Sequence, residues 1–179
     1  MNAFGELRDS FAGWSEIVAG RGTAAQRFVL SRPGLAVAVG WFVVAILLSL
    51  VVQSIVVGVP PTTQLLFGIV AELVTLALLG LGLRQALRWL RAETPTLTLL
   101  VPTTYLLAYM FVVSIPLQLL SAVLGVVVLL LVALLIGRAG QVLCGLKPMA
   151  ALAVAGVCVL VLVVVPNALY MLLLLFPSA

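Results

Sequence analysis

The chain has 179 residues, of which 65% are hydrophobic and 8% are charged, with a formal net charge of +4. Soluble domains carry roughly 25% charged residues, so a water-soluble fold of this size could not cover its surface, and lipid must surround most of the chain. The apolar residues form long runs instead of short alternating segments, which favours helices over an outer-membrane barrel. The sequence therefore predicts an all-α membrane protein with five transmembrane helices.

The remaining composition excludes several kinds of site. The chain has no histidine and only two cysteines, Cys144 and Cys158, so we expect no metal site. Its basic residues flank apolar runs without interleaved aromatic residues, so nucleic acid is not an expected partner. A glycine-rich phosphate loop, a nucleophile–base pair and paired carboxylates at membrane depth are all missing. We therefore expect no catalytic residues, no cofactor and no enzymatic activity.

An amphipathic segment begins the chain. Its apolar residues recur three or four positions apart and would form one stripe on a helix: Phe4, Leu7, Phe11, Trp14 and Val18. Such a stripe predicts a helix that is anchored in the headgroup region of the bilayer or one that packs on the protein's own spans. Residues 1–34 are thus interpreted as an interfacial helix with a basic connector, and residues 35–179 as the transmembrane domain.

Five apolar runs follow and define the predicted spans. We place them at about 35–57, 64–83, 97–114, 117–136 and 148–175. The segment Gly58–Thr63 separates the first span from the second, and we interpret Pro116 and Gln118 as a tight turn between the third span and the fourth. The fifth span exceeds the usual twenty residues, so it must tilt or bend, with Pro166–Asn167 as the bend point.

The positive charges predict the threading. All nine Lys and Arg residues lie in the N-terminal segment, after span two or after span four. With five spans, these three segments share one side, which the positive-inside rule identifies as the cytoplasm. We therefore expect a protein of a bacterial inner (plasma) membrane, with its N-terminus in the cytoplasm and its C-terminus in the periplasm.

The polar residues predicted within the membrane are Glu72, Gln53, Tyr105, Tyr109 and Asn167. Glu72 is the ionisable one among them, and a charge at that depth costs roughly 2.5–3.5 kcal/mol on insertion scales. Three roles fit it: a hydrogen bond to Tyr105, Tyr109, Ser49 or Gln53, a proton or substrate site, or a contact with another subunit. A cavity reaching Glu72 would favour transport, whereas a dry, filled bundle would favour a scaffold or subunit.

Three arginines follow the second span. Arg84, Arg88 and Arg91 are spaced four and three residues apart, which would place them on one face of a helix that leaves the membrane. They are interpreted as a patch for anionic lipid or an acidic partner, worth roughly 1 kcal/mol per basic residue. The alternative is an ordinary topology signal.

The stretch from Tyr105 to Leu152 resembles a known family. A tyrosine-bearing third span leads through Pro116 into the fourth, and CGLKPMAAL (Cys144–Leu152) then enters the last helix. This pattern is similar to that of the Yip family (Ypt/Rab-interacting) of integral membrane proteins, which has bacterial members. The N-terminal FAGWSEIVAG looks like uncharacterised membrane proteins of alphaproteobacteria. The resemblance implies the five-span architecture and a non-enzymatic role.

The sequence leaves two functional hypotheses. The first is a scaffold or accessory subunit that works through helix–helix and lipid contacts, with anionic membrane lipids, other membrane subunits or a second copy as partners. The second is a small oligomeric transporter or proton-coupled permease that uses Glu72.

Overall fold

The part of the chain that the structure describes forms six α-helices and one short 3₁₀ helix. The computed structural model describes the backbone of residues 2–120 and 122–175, and within these ranges it leaves out the side chains at 57, 115–123 and 173–175. The described residues contain no strand. The helices are α1 (Ala3–Val18), α2 (Arg32–Val57), α3 (Thr62–Trp89), α4 (Leu97–Leu120), α5 (Ala122–Cys144) and α6 (Pro148–Leu175), with the 3₁₀ helix at Gly22–Arg27.

Helices α2 to α6 are long and apolar enough to cross a membrane. The predicted fold class, an all-α protein with five candidate spans, is confirmed. A sixth, amphipathic helix, α1, precedes the spans as expected.

The first span begins earlier than predicted. Ser31 caps α2, because its hydroxyl accepts a hydrogen bond from the Gly34 N–H at 3.3 Å, and Pro33 lies in the first turn, where its missing N–H is harmless. Gly34 is needed here because a Cβ at this position would clash with the Val29 carbonyl oxygen. The segment Ser31–Gly34, predicted as part of the connector, is therefore the start of the first span.

The predicted turn at Pro116 and Gln118 is wrong. Helix α4 remains helical to Leu120, and α5 begins at Ala122. A proline inside a soluble helix is costly because it removes one backbone hydrogen bond, but spanning helices tolerate it when neighbouring groups satisfy the freed carbonyl. Pro102 in α4 and Pro166 in α6 likewise lie inside helices.

The five long helices pack in an order that differs from their order along the chain. Helix α4 lies between α2 and α5, and α6 lies between α5 and α3. Helix α3 runs along α6 and contacts α4 and α2 at few points. We call the end of the bundle where α2, α4 and α6 begin and α3 and α5 end the basic end, because all nine Lys and Arg residues lie in α1, its connector or the segments at this end.

Small residues permit two of the closest approaches between helices. A Cβ on Gly137 of α5 would lie 3.2 Å from the Ala151 carbonyl oxygen of α6, and one on Gly82 of α3 would lie 3.3 Å from Val157. By contrast, a Cβ on Gly125 would have no neighbour within 4 Å among the residues whose side chains the structure describes. Gly82 and Gly137 therefore lie at close helix contacts, whereas Gly125 does not.

The most completely buried side chains lie in the half of the bundle nearest the basic end. They come from all five spanning helices and include Ala38, Leu79, Leu99, Ile136, Val154 and Cys158, each 0% exposed. This packed half forms the floor of a cleft that occupies the other half.

Candidate functional site

Glu72 lines a cleft of about 300 Å³ in the half of the bundle away from the basic end. Glu72 is a half-buried residue, and α3, α4, α5 and α6 all contribute to the walls. The other lining residues are Thr75, Leu107, Met110, Phe111, Ser114, Gly125, Val128, Leu129, Val132, Leu162 and Pro166. We call this space the Glu72 cleft.

The polar groups of the Glu72 cleft are mainly hydrogen-bond acceptors. Thr75 Oγ1 donates to the Ala71 carbonyl at 2.7 Å, and Ser114 Oγ donates to the Phe111 carbonyl at 3.0 Å. The hydroxyl protons are thus engaged by the helix backbone, and only oxygen lone pairs remain for a ligand.

The proline of α6 adds another acceptor. Pro166 has no N–H, so the carbonyl of Leu162, one turn earlier, lacks its usual helical donor. Leu162 and Pro166 both line the Glu72 cleft. The sequence predicted a bend at Pro166, but it gave no sign that this proline lines the same cleft as Glu72.

None of the side chains expected to bond Glu72 does so. Gln53 is exposed, and its Nε2 donates to Ser49 Oγ at 3.3 Å within α2. Among the side chains that the structure describes, no hydrogen bond or ion pair reaches the Glu72 carboxyl. The internal hydrogen bond, one of the three roles predicted for Glu72, is therefore not observed.

The two tyrosines of α4 face α1 and not Glu72. The Tyr109 hydroxyl donates to the Leu7 carbonyl at 2.8 Å and lies 2.6 Å from Ser10 Oγ. The buried Tyr105 hydroxyl lies near the Glu6 side chain of α1, and neither this hydroxyl nor Glu6 Oε2 has a hydrogen-bond partner among the described residues. Both tyrosines thus belong to the contact between α4 and the N-terminal helix.

Asn167 lies outside the Glu72 cleft. Its side chain is exposed, and Nδ2 donates to the Val163 carbonyl at 2.7 Å. Its amide is therefore satisfied within α6, one residue from the proline, and it takes no part in the site.

Helix α1 is docked on the bundle by a face that the sequence did not indicate. Its buried residues are Ser10, Gly13, Trp14 and Ile17, about a quarter turn from the predicted stripe. Within that stripe, Trp14 is buried and Leu7 partly buried, but Phe4, Phe11 and Val18 are exposed. The predicted anchor is thus divided between a protein contact and an outward face.

Hydrogen bonds and ring contacts fix α1 in place. The Trp14 indole N–H donates to the Pro102 carbonyl at 3.1 Å, and the Trp41 indole N–H donates to the Ala3 carbonyl at 3.1 Å. Phe4 packs edge-on against Trp41 with ring centres 5.1 Å apart. Gly13 leaves room for the Phe28 ring, which a Cβ would meet at 2.5 Å.

The arginine patch is shorter than predicted. Arg84 and Arg88 are exposed on the last two turns of α3, but the helix ends at Trp89. Arg91 adopts φ 51°, and the N–H groups of Arg91 and Ala92 donate to the carbonyls of Arg88 and Leu87. This Schellman motif terminates the helix, so Arg91 does not continue the face formed by Arg84 and Arg88.

Among the described residues, no group of three His, Cys, Asp or Glu side chains could hold a metal ion.

Comparison with known proteins adds no relative. No family model, no curated protein and no solved structure matches this chain. The resemblance to the Yip family therefore stays a prediction.

Proposed function

We propose that this chain is a non-enzymatic membrane carrier whose Glu72 cleft binds a small ligand with a cationic or hydrogen-bond-donating group. One observation carries the proposal: a carboxyl group lines a cleft between four candidate spans, and no described side chain pairs with it. Ionisable residues at membrane depth usually mark substrate or proton paths. A cavity at Glu72 is also the feature that separates a transporter from a filled scaffold.

The chemistry of the cleft supports a donor-bearing ligand. Its polar groups include the Glu72 carboxyl and the lone pairs of two hydroxyl oxygens, and the carbonyl of the lining residue Leu162 lacks its helical donor. An ammonium or amide group would satisfy these acceptors, and the apolar walls would contact an apolar body. A single carboxyl that holds either a proton or a cation provides the simplest form of proton coupling.

The proposal includes an orientation. By the positive-inside rule, the basic end faces the cytoplasm of a bacterium, and the Glu72 cleft lies in the periplasmic half of the bundle. The N-terminus is then cytoplasmic and the C-terminus periplasmic. Because α3 and α4 contact each other at few points, we expect the packed half of the bundle to open between these two helices during transport.

A ligand screen tests this function. The purified protein is melted in detergent with monovalent cations and organic amines, because a ligand at a hundred times its Kd stabilises the folded state by about 2.7 kcal/mol. We expect at least one compound to raise the melting temperature of the wild type and of a Glu93→Gln control, whose carboxyl is exposed in a loop, but not of Glu72→Gln. Equal shifts in all three proteins, or none across the panel, would contradict the proposal.

An accessory subunit with Yip-like architecture is the second candidate. The same unpaired Glu72 favours it, because a basic side chain from a partner helix would also satisfy the carboxyl. Purification from the native membrane in mild detergent, followed by mass spectrometry of associated proteins, distinguishes the two. Recovery as a lone monomer would count against the subunit, whereas a stoichiometric partner that is lost in Glu72→Gln would support it.

A further inference from the structure

A second cavity lies near the basic end, separate from the Glu72 cleft. It is a groove of about 380 Å³ between α2 and α3, with α4 as its base. Leu35 and Val39 of α2 form one wall, Leu76 and Gly80 of α3 form the other, and Leu100 lies beneath. We call it the α2–α3 groove.

The α2–α3 groove is apolar and opens toward the surrounding lipid. Its one hydroxyl, on Thr104, donates to the Leu100 carbonyl at 2.9 Å and is thereby engaged. Ala77 and Leu81 on the rim are exposed. The groove therefore offers a hydrocarbon occupant only van der Waals contact and has no free donor for a polar one.

Arginines continue the faces that form the two walls. On α3, Arg84 follows Gly80 by four residues and Ala77 by seven, so it lies on the groove face one turn nearer the helix end. On α2, Arg32 precedes Leu35 by three residues and Val39 by seven, and lies on the corresponding face at the start of that helix.

These arginines are free to bind an anion. Arg32, Arg84 and Arg88 are all exposed, and the ion pair found among the described residues joins Arg27 to Glu16 instead. Because α2 begins and α3 ends at the basic end, both arginine faces terminate at the same end of the groove. A topology signal requires only that the positive charges lie on one side, and it does not explain why they align with a groove.

We propose that the α2–α3 groove binds one anionic phospholipid. An acyl chain lies along the apolar walls, and the headgroup phosphate is held by Arg32 and Arg84, with Arg88 one turn beyond. Arginine suits this role because its planar guanidinium donates to phosphate oxygens in pairs. The site replaces the predicted triad of Arg84, Arg88 and Arg91 with a set that omits Arg91 and includes Arg32, and it is independent of ligand binding at Glu72.

Native mass spectrometry tests the lipid site. Delipidated protein is titrated with phosphatidylglycerol and with phosphatidylcholine of the same acyl chains, and we expect phosphatidylglycerol to bind more tightly. Arg32→Gln and Arg84→Gln should each weaken its binding roughly fivefold, which corresponds to about 1 kcal/mol per basic residue. Ala77→Leu, which fills the groove and keeps every arginine, should weaken binding of both lipids.

Arg138→Gln is the matched control. Arg138 is exposed near the basic end of α5 and donates to Gln141 at 3.1 Å, and it does not line the groove. We expect no change in lipid binding in this variant. Equal affinity for the two lipids, an equal loss in Arg138→Gln, or full competition by free glycerol phosphate would each overturn the proposal, because each outcome would leave the groove without a role.

Discussion

Replacing Trp14 tests whether α1 is held by the protein or by lipid. The Trp14 side chain is 6% exposed, and its indole N–H donates to the Pro102 carbonyl at 3.1 Å. Trp14→Ala removes both the ring and this bond. If Trp14 lay in the membrane interface, this substitution would remove few contacts with the protein. Because Trp14 is buried, the substitution should instead leave a cavity between α1 and α4.

The expected effect is large. Deleting a buried aromatic side chain costs about 3–5 kcal/mol, of which a hydrogen bond accounts for about 1 kcal/mol. If that loss falls on the docking of α1, the undocked population rises at least about a hundredfold, since each 1.4 kcal/mol is roughly a factor of ten. Trp14→Phe, which keeps most of the ring, should show a smaller rise that reflects the lost bond.

Trypsin cleavage after Arg8 and Arg21 in native-like micelles measures the undocked form, because proteolysis tracks the open population when reclosing is fast. Trp89→Ala is the control, since Trp89 is 73% exposed at the end of α3. We expect fast cleavage in Trp14→Ala and wild-type rates in Trp89→Ala. Unchanged cleavage in Trp14→Ala would refute the docking and support an α1 that rests in the lipid interface.

Three further predictions concern individual hydrogen bonds and backbone geometry. Tyr109→Phe should destabilise the protein by about 0.6–1 kcal/mol, whereas Tyr105→Phe should not, because its hydroxyl is unpaired among the described residues; unfolding in a denaturing detergent compares the two. Arg91→Gly should raise stability by about 1 kcal/mol in the same assay, since φ 51° is costly for any side chain. Hydrogen bonds, first from the Thr23 hydroxyl and then from Arg27, hold the pKa of Glu16 below its usual value in the folded protein. The ionised Glu16 therefore stabilises the fold at pH values above its pKa in the unfolded chain, and this contribution is lost as the pH falls through its pKa in the folded protein. Amide exchange in the turn after α1, corrected for intrinsic rates, should therefore accelerate at acidic pH in the wild type and vary less with pH in Glu16→Gln.

The sequence predicted the spans because lipid imposes a simple rule. A helix that crosses a bilayer needs about twenty apolar residues, and five such runs are present. The boundary between the third and the fourth span was wrong because Pro116 was taken as part of a turn. Pro116 instead lies within a helix, whereas Pro33 lies in the first turn of one, and which of these positions a proline takes depends on neighbouring groups that a linear pattern does not reveal.

The docked face of α1 was predicted wrongly because hydrophobicity was the only criterion. Phe4 and Phe11 are more apolar than Ser10 and Gly13, yet the smaller pair is turned inward. Ser10 meets the Tyr109 hydroxyl, and Gly13 admits the Phe28 ring. Complementarity of this kind depends on which helices meet, and that information is not local in the chain.

The Glu72 cleft also depends on which helices meet, which is not local information in the chain. Glu72 was recognised from its depth, but the cleft depends on α3 packing along α6, so that Pro166 lines the same cleft as Glu72. Adjacent spans were expected to supply its partners. The order of helices around the bundle instead leaves Ser49 and Gln53 on α2 to bond each other.

Chemical modification of Glu72 tests the central claim, that its carboxyl is accessible in an intramembrane cleft. Intact membranes are treated with dicyclohexylcarbodiimide, which partitions into lipid and couples to carboxyl groups there, and the adduct is mapped by mass spectrometry. We predict modification at Glu72 and its loss in Glu72→Gln, with the exposed Glu93 unmodified. Absence of an adduct at Glu72 under conditions that modify other membrane carboxyl groups would contradict the account.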